Sequence, residues 1–273
     1  MYGFLVLCVI LSCPEIFQIM TFRRYMAFIP KILLLAAVAV GLAASCGGDD
    51  DDGEASGGGT NVPDDKTAVH EYVYLDISDG TLWATTNIGA ARPEGKGSYS
   101  AWAETAQKGQ YSWDTYSYCA GSDKTLTKYC AKPDYGNEGY TDKETLEELQ
   151  PADDAATAAW GSEWRTPSLS QWETLVSECD WKWDSEKGVP GFRVSSRQHP
   201  EKSIFLPAAG RRTFSSLDED KENGYYWSRT LDAETPTSAY ALCYFSYMSS
   251  HVCLPFMRFL GYSVRPVRNA GVK

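Results

Sequence analysis

Residues 153–175 read DDAATAAWGSEWRTPSLSQWETL, and this stretch contains both helices that we predict for the chain. A first short helix covers residues 153–160, with its two aspartates near the N-terminus, where the helix dipole favours negative charge. Ser168 then caps a second helix, and Gln171 at the third helical position completes the pattern of a capping box. The two helices therefore lie close together in the middle of the chain, and the other elements are assigned around them.

The second helix has an apolar stripe whose members recur at the three- and four-residue spacing of one helix face. These residues are Leu169, Trp172, Leu175, Val176 and Cys179. We expect the stripe to be buried, with Cys179 acting as a small hydrophobic residue.

Strand patterns lie on both sides of the helices. EYVYLDI (71–77) alternates and is rich in β-formers, Asp79-Gly80 is a hairpin turn signal, and TLWATTNI (81–88) is the returning strand. Short β-prone segments follow the helices: FRVSS (192–196), SIFLPAAG (203–210), YYWSRT (225–230), SAYALCYFSY (238–247) and GYSVRPV (261–267). Strands, then two helices, then a run of strands is an α+β order, so we predict that fold class.

The N-terminal residues 1–45 have the pattern of a secretory signal peptide. Basic residues precede an apolar run at 32–44, and small residues follow it directly before Cys46. The run is shorter than the about 20 residues needed to cross a bilayer. A cysteine in this position resembles a bacterial lipobox, so we expect Cys46 to be lipidated, with the true start at Met20 or Met26. An ordinary cleaved signal with an incidental cysteine is the alternative.

Residues 46–66 are predicted to be a flexible tether. They are rich in glycine, serine and acidic residues and cannot bury enough apolar surface to fold. We interpret the four aspartates at 49–52 as a solvated linker, with a metal-binding run as the alternative. The remaining residues, 67–273, are then a single folded domain.

Composition excludes one class of partner. The formal net charge is −11, and no basic patch with interleaved aromatic residues is present, so nucleic-acid binding is disfavoured. Aromatic residues make up 13% of the chain, and they suit either half-exposed binding faces or the core of a loop-rich domain.

Cysteines beyond Cys46 are expected to form disulfides, because an exported protein meets oxidising surroundings. We predict that Cys119 pairs with Cys130 and closes a polar loop within the Gly- and Tyr-rich segment 89–150. The second predicted pair, Cys243 with Cys253, flanks an apparent hairpin. With Cys179 the number is odd, so at least one thiol stays unpaired within the molecule.

Several phrases together resemble the Fibrobacter succinogenes major paralogous domain, a family common in exported lipoproteins of Bacteroides and its relatives. They are LWATTNIGA (82–90), YSAWAET (99–105), LTKYC (126–130), DDAA with WGSEWRTPSLSQWETL (153–175), SIFLPAAGRR (203–212), NGYYWS (223–228) and GYSVRPVR (261–268). The resemblance covers about residues 72–268. It implies a C-type-lectin-like fold, with two helices beside a twisted, irregular antiparallel sheet and with the terminal strands close together. This broad fold is shared with formylglycine-generating enzymes.

What the resemblance implies about function is limited, because no activity or defined ligand is generally attached to the family. The acidic residues after Cys46 look like the surface-export signal of such lipoproteins. We therefore predict an outer-membrane, surface-exposed lipoprotein with a non-catalytic binding or adhesion domain for a glycan or a protein. No cofactor or metal is predicted, and the paired EPN and WND motifs of many sugar-binding lectins are absent.

The candidate ligand-binding residues combine aromatic rings with amide and guanidinium groups, which suit sugar stacking and hydrogen bonding. They are Arg211, Arg212, Asn223, Tyr225, Tyr226 and Trp227. The alternative is that Tyr226 and Trp227 are core residues of a strand.

Two other functions are weighed against binding. A structural or accessory role in a surface assembly cannot be separated from adhesion by sequence. A formylglycine-generating type of enzyme would use Cys243 and Cys253, but thiolate activation needs a cationic setting and only Arg258 and His251 are near in sequence.

Four charged residues in the family-like phrases are assigned structural roles. Asp153 and Asp154 are interpreted as helix-start residues, with a calcium site as the alternative because carboxylates are its preferred ligands. Arg165 and Arg265 are interpreted as buried anchors, because one guanidinium group can donate to several carbonyls.

Overall fold

The protein is described here by a computed structural model, which covers residues 69–144, 146–246 and 250–269, without the side chain of Ser250. The predicted signal peptide at 1–45 and the whole predicted tether at 46–66, including Cys46, lie outside the described residues, as do residues 67 and 68. Within the described part, strands predominate and two α-helices are present, so the predicted α+β class is confirmed. No helix in these ranges has the length and apolar character needed to span a membrane.

The helices are α1 (Ala155–Trp160) and α2 (Leu169–Glu178). The strands of the described part are β1 (Tyr72–Tyr74), β2 (Thr81–Ala84), β3 (Tyr99–Ser100), β4 (Cys179–Glu186), β5 (Val189–Ser196), β6 (Ser203–Pro207), β7 (Arg211–Thr213), β8 (Ser216–Asp218), β9 (Asn223–Leu231), β10 (Ser238–Phe245), β11 (Ser250–Met257), β12 (Tyr262–Ser263) and β13 (Val267–Asn269). Short 3₁₀ turns lie at Trp113–Thr115, Pro133–Tyr135, Asn137–Gly139 and Pro151–Asp153.

These strands form a three-stranded sheet ordered β1-β2-β13, a five-stranded sheet ordered β11-β10-β9-β12-β3, a three-stranded sheet β4-β5-β6 and the hairpin β7-β8. Strands from the two ends of the folded part share one sheet, because Val73 and Val267 both pair with Trp83 of β2. The terminal strands are therefore close together, as expected.

The predicted hairpin at Asp79-Gly80 is confirmed, and β1 and β2 pair antiparallel. Gly80 takes a φ of +68°, which glycine adopts without steric cost, and Asp79 accepts a hydrogen bond of 2.9 Å from the backbone N–H of Thr81. Both strands are shorter than predicted. The carbonyls of Ala84 and Thr85 accept hydrogen bonds from the guanidinium group of Arg265.

The capping box of α2 forms as predicted. The Ser168 hydroxyl accepts from the N–H of Gln171 at 3.1 Å, and the Gln171 side chain accepts from the N–H of Ser168 at 2.9 Å. Trp172 and Leu175 are fully buried, so the predicted stripe faces the core. Cys179 is also buried, although it begins β4 rather than lying in the helix.

The main core lies between α2 and the sheets, and it is built largely of aromatic rings. Trp172 packs on Trp83 of β2 with ring centroids 4.7 Å apart and on Tyr226 of β9 at 6.0 Å. Large rings bury much apolar area each, so a domain with many short strands can still form a dense core from them.

The loops between β3 and α1 are organised by a buried arginine. Arg258 donates hydrogen bonds to the hydroxyl of Tyr116 and to the carbonyls of Lys128, Tyr129 and Pro236. Its guanidinium carbon lies 4.9 Å from the centre of the Trp102 ring. One side chain therefore connects segments more than 100 residues apart in sequence.

Neither predicted disulfide is formed, and none joins two cysteines in the described part of the chain. The Cys119 thiol donates to the carbonyl of Trp113, and the Cys130 thiol donates to that of Lys132. In the β10–β11 ladder, Cys243 pairs with Val252 and Cys253 with Leu242. These neighbouring register positions place the two cysteine side chains on opposite faces of the sheet. The prediction of a Cys243–Cys253 bond is therefore corrected.

Arg265 is fully buried, as predicted for an anchor. Besides the carbonyls of Ala84 and Thr85, it donates to Asn87 and to the carbonyl of Phe205 on β6. It thus connects two sheets through one guanidinium group. Burial lowers the pKa of Arg265 to about 10, which still leaves it charged at neutral pH.

Candidate functional site

The predicted ligand-binding residues on β9 lie in the core. Tyr225 and Tyr226 have no exposed surface, and Trp227 is 1% exposed, because β9 is a central strand between β10 and β12. The Tyr226 hydroxyl donates to the carbonyl of Pro207, and the Trp227 indole N–H donates to that of Ser100. These rings cannot stack on an external sugar, so the prediction is corrected in favour of its alternative, core residues of a strand.

Three residues of the set, Arg211, Asn223 and Tyr225, meet around Glu219. Its carboxylate pairs with Arg211 at 2.9 Å and accepts from the Asn223 amide and the Tyr225 hydroxyl, each at 2.5 Å. Burial, with Glu219 beside it, raises the pKa of Tyr225 well above its usual value. This cluster fastens the turn after β8 and is an internal polar network.

Arg212 also has a structural position. Its backbone exchanges two hydrogen bonds with Gly261, at 2.8 and 2.9 Å. Its guanidinium group lies over the ring of Tyr99 at 5.5 Å. None of the six predicted residues therefore forms an exposed binding face.

A different concave region lies beside the loop that joins α1 to α2. Its first part, which we call the charged groove, has a volume of about 400 Å³. Its charged lining residues are Glu148, Glu163, Arg165, Arg229 and Arg268, and Ser162, Gln171, Val267 and Asn269 complete the wall.

The second part, which we call the aromatic pocket, has a volume of about 360 Å³. It is lined by four aromatic rings, those of His70, Tyr72, Trp160 and Trp164. It shares Ser162, Glu163 and Arg268 with the charged groove. The two cavities therefore lie side by side. Each has a volume within the range of roughly 300–1,000 Å³ that is typical of ligand sites.

Asp154 fixes the loop at the base of the groove. It is fully buried and caps α1 by accepting from the N–H groups of Ala156 and Thr157 at 2.9 and 3.2 Å. The same carboxylate accepts from the N–H and the hydroxyl of Thr166. The interpretation of Asp154 as a helix-start residue is confirmed.

Asp153 belongs to a neighbouring buried network. It accepts hydrogen bonds from Lys128 and from the hydroxyls of Tyr118 and Tyr129. Burial alone would raise the pKa of Asp153, but the hydrogen bonds outweigh it and hold the pKa below its usual value. Among the described residues, no group of three or more His, Cys, Asp or Glu side chains is placed to hold a metal ion.

Arg165 is half-exposed and lines the groove, in contrast to the predicted buried anchor. Its guanidinium group donates to the carbonyl of Leu149 at 3.1 Å and lies 3.5 Å from Asp154. Its backbone exchanges two hydrogen bonds of 2.9 Å with Val267 of β13. It therefore both anchors the loop and presents charge to the cavity.

Arg229, near the C-terminal end of β9, forms the first exposed ion pair of the groove. Its Nε donates to Glu148 at 2.8 Å, and its Nη1 donates to the carbonyl of Thr166 and to Gln171. The Glu148 side chain is 44% exposed. Arg229 is thus held in one orientation while its carboxylate partner faces solvent.

Arg268 on β13 forms the second ion pair, with Glu163 at 3.1 Å. Its guanidinium carbon lies 4.9 Å from the ring centre of Tyr72 and 5.7 Å from that of Trp164. Glu163 is 75% exposed, whereas the arginine is more than two-thirds covered. Arg268 therefore connects the charged groove to the aromatic pocket.

The rings of the aromatic pocket support one another. His70 stacks on Trp160 with centroids 3.7 Å apart, and Trp160 meets Trp164 edge-on at 5.2 Å. Tyr72 contacts Trp164 at 6.4 Å and is 46% exposed. The exposed ring of Tyr72 thus lies next to the ion pair of Arg268 and Glu163.

Sequence reasoning missed most of this site. Glu148, Glu163, Arg229 and Arg268 are not among the predicted site residues, and Arg165 is predicted only as a buried anchor within one of the family-like phrases. The one usable signal was Glu163 two residues before Arg165, in a segment with two tryptophans and no apolar period. Such a segment connects helices rather than filling a core.

Comparison of the chain with models of known protein families, with curated proteins and with solved structures found no match.

Proposed function

We propose that this chain is a lipid-anchored lipoprotein of the outer membrane, exposed at the cell surface, with a non-catalytic binding domain. The domain belongs in this proposal to the C-type-lectin-like folds and to the major paralogous domain family. The observation that carries the binding function is the charged groove next to the aromatic pocket. The ligand is a glycan or a protein, and it occupies these two cavities rather than the face around β9.

The arrangement of the groove suits recognition. Each of its arginines is held by a carboxylate and by at least one further contact, to a carbonyl or to an aromatic ring. Side chains fixed in advance lose little freedom when a ligand binds, which favours affinity.

The cysteines give no support to the formylglycine-generating alternative. Thiolates, not thiols, are the nucleophiles of such chemistry. Burial raises the pKa of Cys253 to about 12, and Glu173 adds to this effect. The Cys253 thiol therefore stays protonated at neutral pH.

The proposed lipid attachment and cell-surface location are supported by the sequence alone, namely by the apolar run, Cys46 and the acidic tether. In cells that process lipoproteins, Cys46→Ser should abolish globomycin-sensitive processing and lipid labelling. Cys119→Ser, a matched change at a half-buried cysteine of the folded domain, should leave both unchanged. Normal labelling of Cys46→Ser would reject the anchor and favour an ordinary cleaved signal. Protease treatment of intact cells would show separately whether the domain lies on the outer surface or in the periplasm.

The binding function is tested with the lipoprotein purified in detergent and applied to arrays of saccharides and of peptides. Tyr72→Ala should remove binding, because Tyr72 offers the exposed ring of the pocket. Tyr74→Ala is the matched control, since Tyr74 lies on the same strand, is 42% exposed and lines neither cavity. Silence on both arrays would instead favour the alternative, a structural or accessory component of a surface assembly.

A further inference from the structure

We infer that the charged groove and the aromatic pocket recognise an uncharged saccharide, an inference that rests on the proposed binding function. It is carried by three features of the site: the pairing of its charges, the hydrogen-bonding groups left open by that pairing, and the covered edge of β13.

The charges of the groove are already matched. Arg229 is paired with Glu148, Arg268 with Glu163, and Arg165 lies against Asp154. An anionic ligand would compete with a resident carboxylate for each arginine, and a cationic ligand would compete with a resident arginine. The two carboxylates that line the groove are exposed, so each of their ion pairs contributes little on its own. The three arginines are balanced by three carboxylates, however, so the set has no net charge that would attract a ligand of either sign.

Both exposed ion pairs contain hydrogen-bond donors and hydrogen-bond acceptors that the described residues leave unused. In the described part of the chain, Nη2 of Arg229 and Nη2 of Arg268 donate no hydrogen bond. The Oε1 atoms of Glu148 and Glu163 likewise accept none there. Each ion pair thus keeps at least one open donor nitrogen and one open acceptor oxygen.

A hydroxyl group can bind to either open group, because it both donates and accepts hydrogen bonds. One hydroxyl of a sugar can accept from the guanidinium Nη2, while a neighbouring hydroxyl donates to the carboxylate Oε1, and the ion pair stays intact. Hydrogen bonds to charged groups are stronger than those between neutral groups. A chain of hydroxyl-bearing rings could use both pairs.

The aromatic pocket supplies the complementary apolar contact. The exposed Tyr72 ring lies beside Arg268, so a saccharide bonded to the Arg268–Glu163 pair is within reach of that ring. The C–H face of a sugar ring packs on an aromatic side chain, and binding sites combine such rings with a few fixed polar groups.

An extended peptide fits the site less well. Peptides that bind at a sheet add a strand to an open edge through backbone hydrogen bonds. At the groove the edge is formed by β13, and the Val267 N–H and C=O are already bonded to the backbone of Arg165. The ladder position that faces the groove is therefore closed to a new strand.

The test uses the lipoprotein purified in detergent from cells producing the full chain. The probes are an array of uncharged gluco-, galacto-, manno- and xylo-oligosaccharides, a matched array of uronic-acid oligosaccharides, and a peptide array. We expect binding to at least one uncharged saccharide. Its Kd should change less than about twofold between low and high salt, because screening acts on charged ligands.

Two variants locate the contact. Glu163→Gln weakens the acceptor while keeping its shape, and it should raise Kd about tenfold, which corresponds to the loss of one charge-assisted hydrogen bond. Glu201→Gln is its control, because Glu201 is 72% exposed, pairs with His199 and lies outside both cavities. Both variants should unfold at the same temperature as the parent.

The outcomes distinguish a failure of the saccharide inference from a failure of the proposed binding function. Saccharide binding that Glu163→Gln leaves unchanged, binding only to uronic acids with strong salt dependence, or binding only to peptides would each overturn the inference while the binding function stands. Silence on all three arrays would overturn the binding function itself.

Discussion

Replacing Asp154 by alanine tests how the loop below the charged groove is built. The carboxylate caps α1 through two backbone N–H groups and also accepts from the N–H and hydroxyl of Thr166. Asp154→Ala removes all of these bonds at once, in a position with no exposed surface. The variant should therefore lose both the helix cap and the connection between the helix start and the loop.

The expected magnitude follows from the bonds lost. An N-cap contributes about 1 kcal/mol, and a buried N–H without a partner costs about 1–3 kcal/mol. These contributions are not fully additive, so we expect Asp154→Ala to lower the free energy of unfolding by about 3 kcal/mol. For a domain of this size that is a fall in Tm of about 6–12 °C. Asp154→Asn keeps one acceptor oxygen and should lose about half as much.

The assay is urea and thermal unfolding of the purified chain, followed by tryptophan fluorescence. Asp123→Ala is the control, because Asp123 is exposed and makes no hydrogen bond within the described residues. It should change the free energy of unfolding by less than about 0.5 kcal/mol. A loss below about 1 kcal/mol for Asp154→Ala would refute the assignment of Asp154 as the residue that holds this loop.

Three further predictions concern the interior. The Asp153 carboxylate has a pKa below its usual 3.8, so its contribution to stability is complete above about pH 4 and is lost as the pH falls through the lowered value; Asp153→Asn should flatten acid unfolding in this range, and an unchanged acid profile would contradict this. Arg265→Met removes the guanidinium donor from three carbonyls, two of them in buried hydrogen bonds, and should cost about 3–5 kcal/mol, measured by urea unfolding, whereas a loss near zero would show that water replaces the guanidinium group. Mass spectrometry of a non-reduced digest should find no peptide pair joined by a Cys243–Cys253 disulfide, and such a pair would contradict their positions on opposite sheet faces.

The local features of the fold could be predicted because their causes are local. The capping box of Ser168 and Gln171 requires only residues three apart, and the turn at Gly80 requires only a residue that tolerates positive φ. The apolar spacing of α2 likewise identified Trp172 and Leu175 as buried. In each case the sequence pattern and the physical requirement cover the same few residues.

The position of β9 could not be read in the same way. Tyr225, Tyr226 and Trp227 are consecutive, so in a strand they point to alternating faces, and we interpreted part of the set as an exposed platform. The strand is covered on both faces, and all three rings are buried. Continuous apolar residues are typical of such strands, whereas a strand with one wet face alternates.

The charged groove could not be predicted for a related reason. Its charged residues come from four segments, around residues 148, 163, 229 and 268, which are brought together by pairings such as those of Arg165 with Val267 and of Glu148 with Thr230. Helical or strand periodicity indicates which side of an element is buried, but it does not indicate which distant element lies beside it. The disulfide prediction failed similarly, because spacing along the chain did not reveal the register of β10 and β11.

The shared sheet of β1, β2 and β13 has a practical consequence for attaching reporters to this protein. Val69 lines the aromatic pocket and Asn269 lines the charged groove, so a fluorescent protein or affinity tag fused next to either residue would crowd the ligand. The hairpin between β4 and β5 turns at Lys187 and Gly188, both with positive φ, and lines neither cavity. Exposed loop tips of this kind accept insertions well, so a label placed there should report on binding without obstructing it.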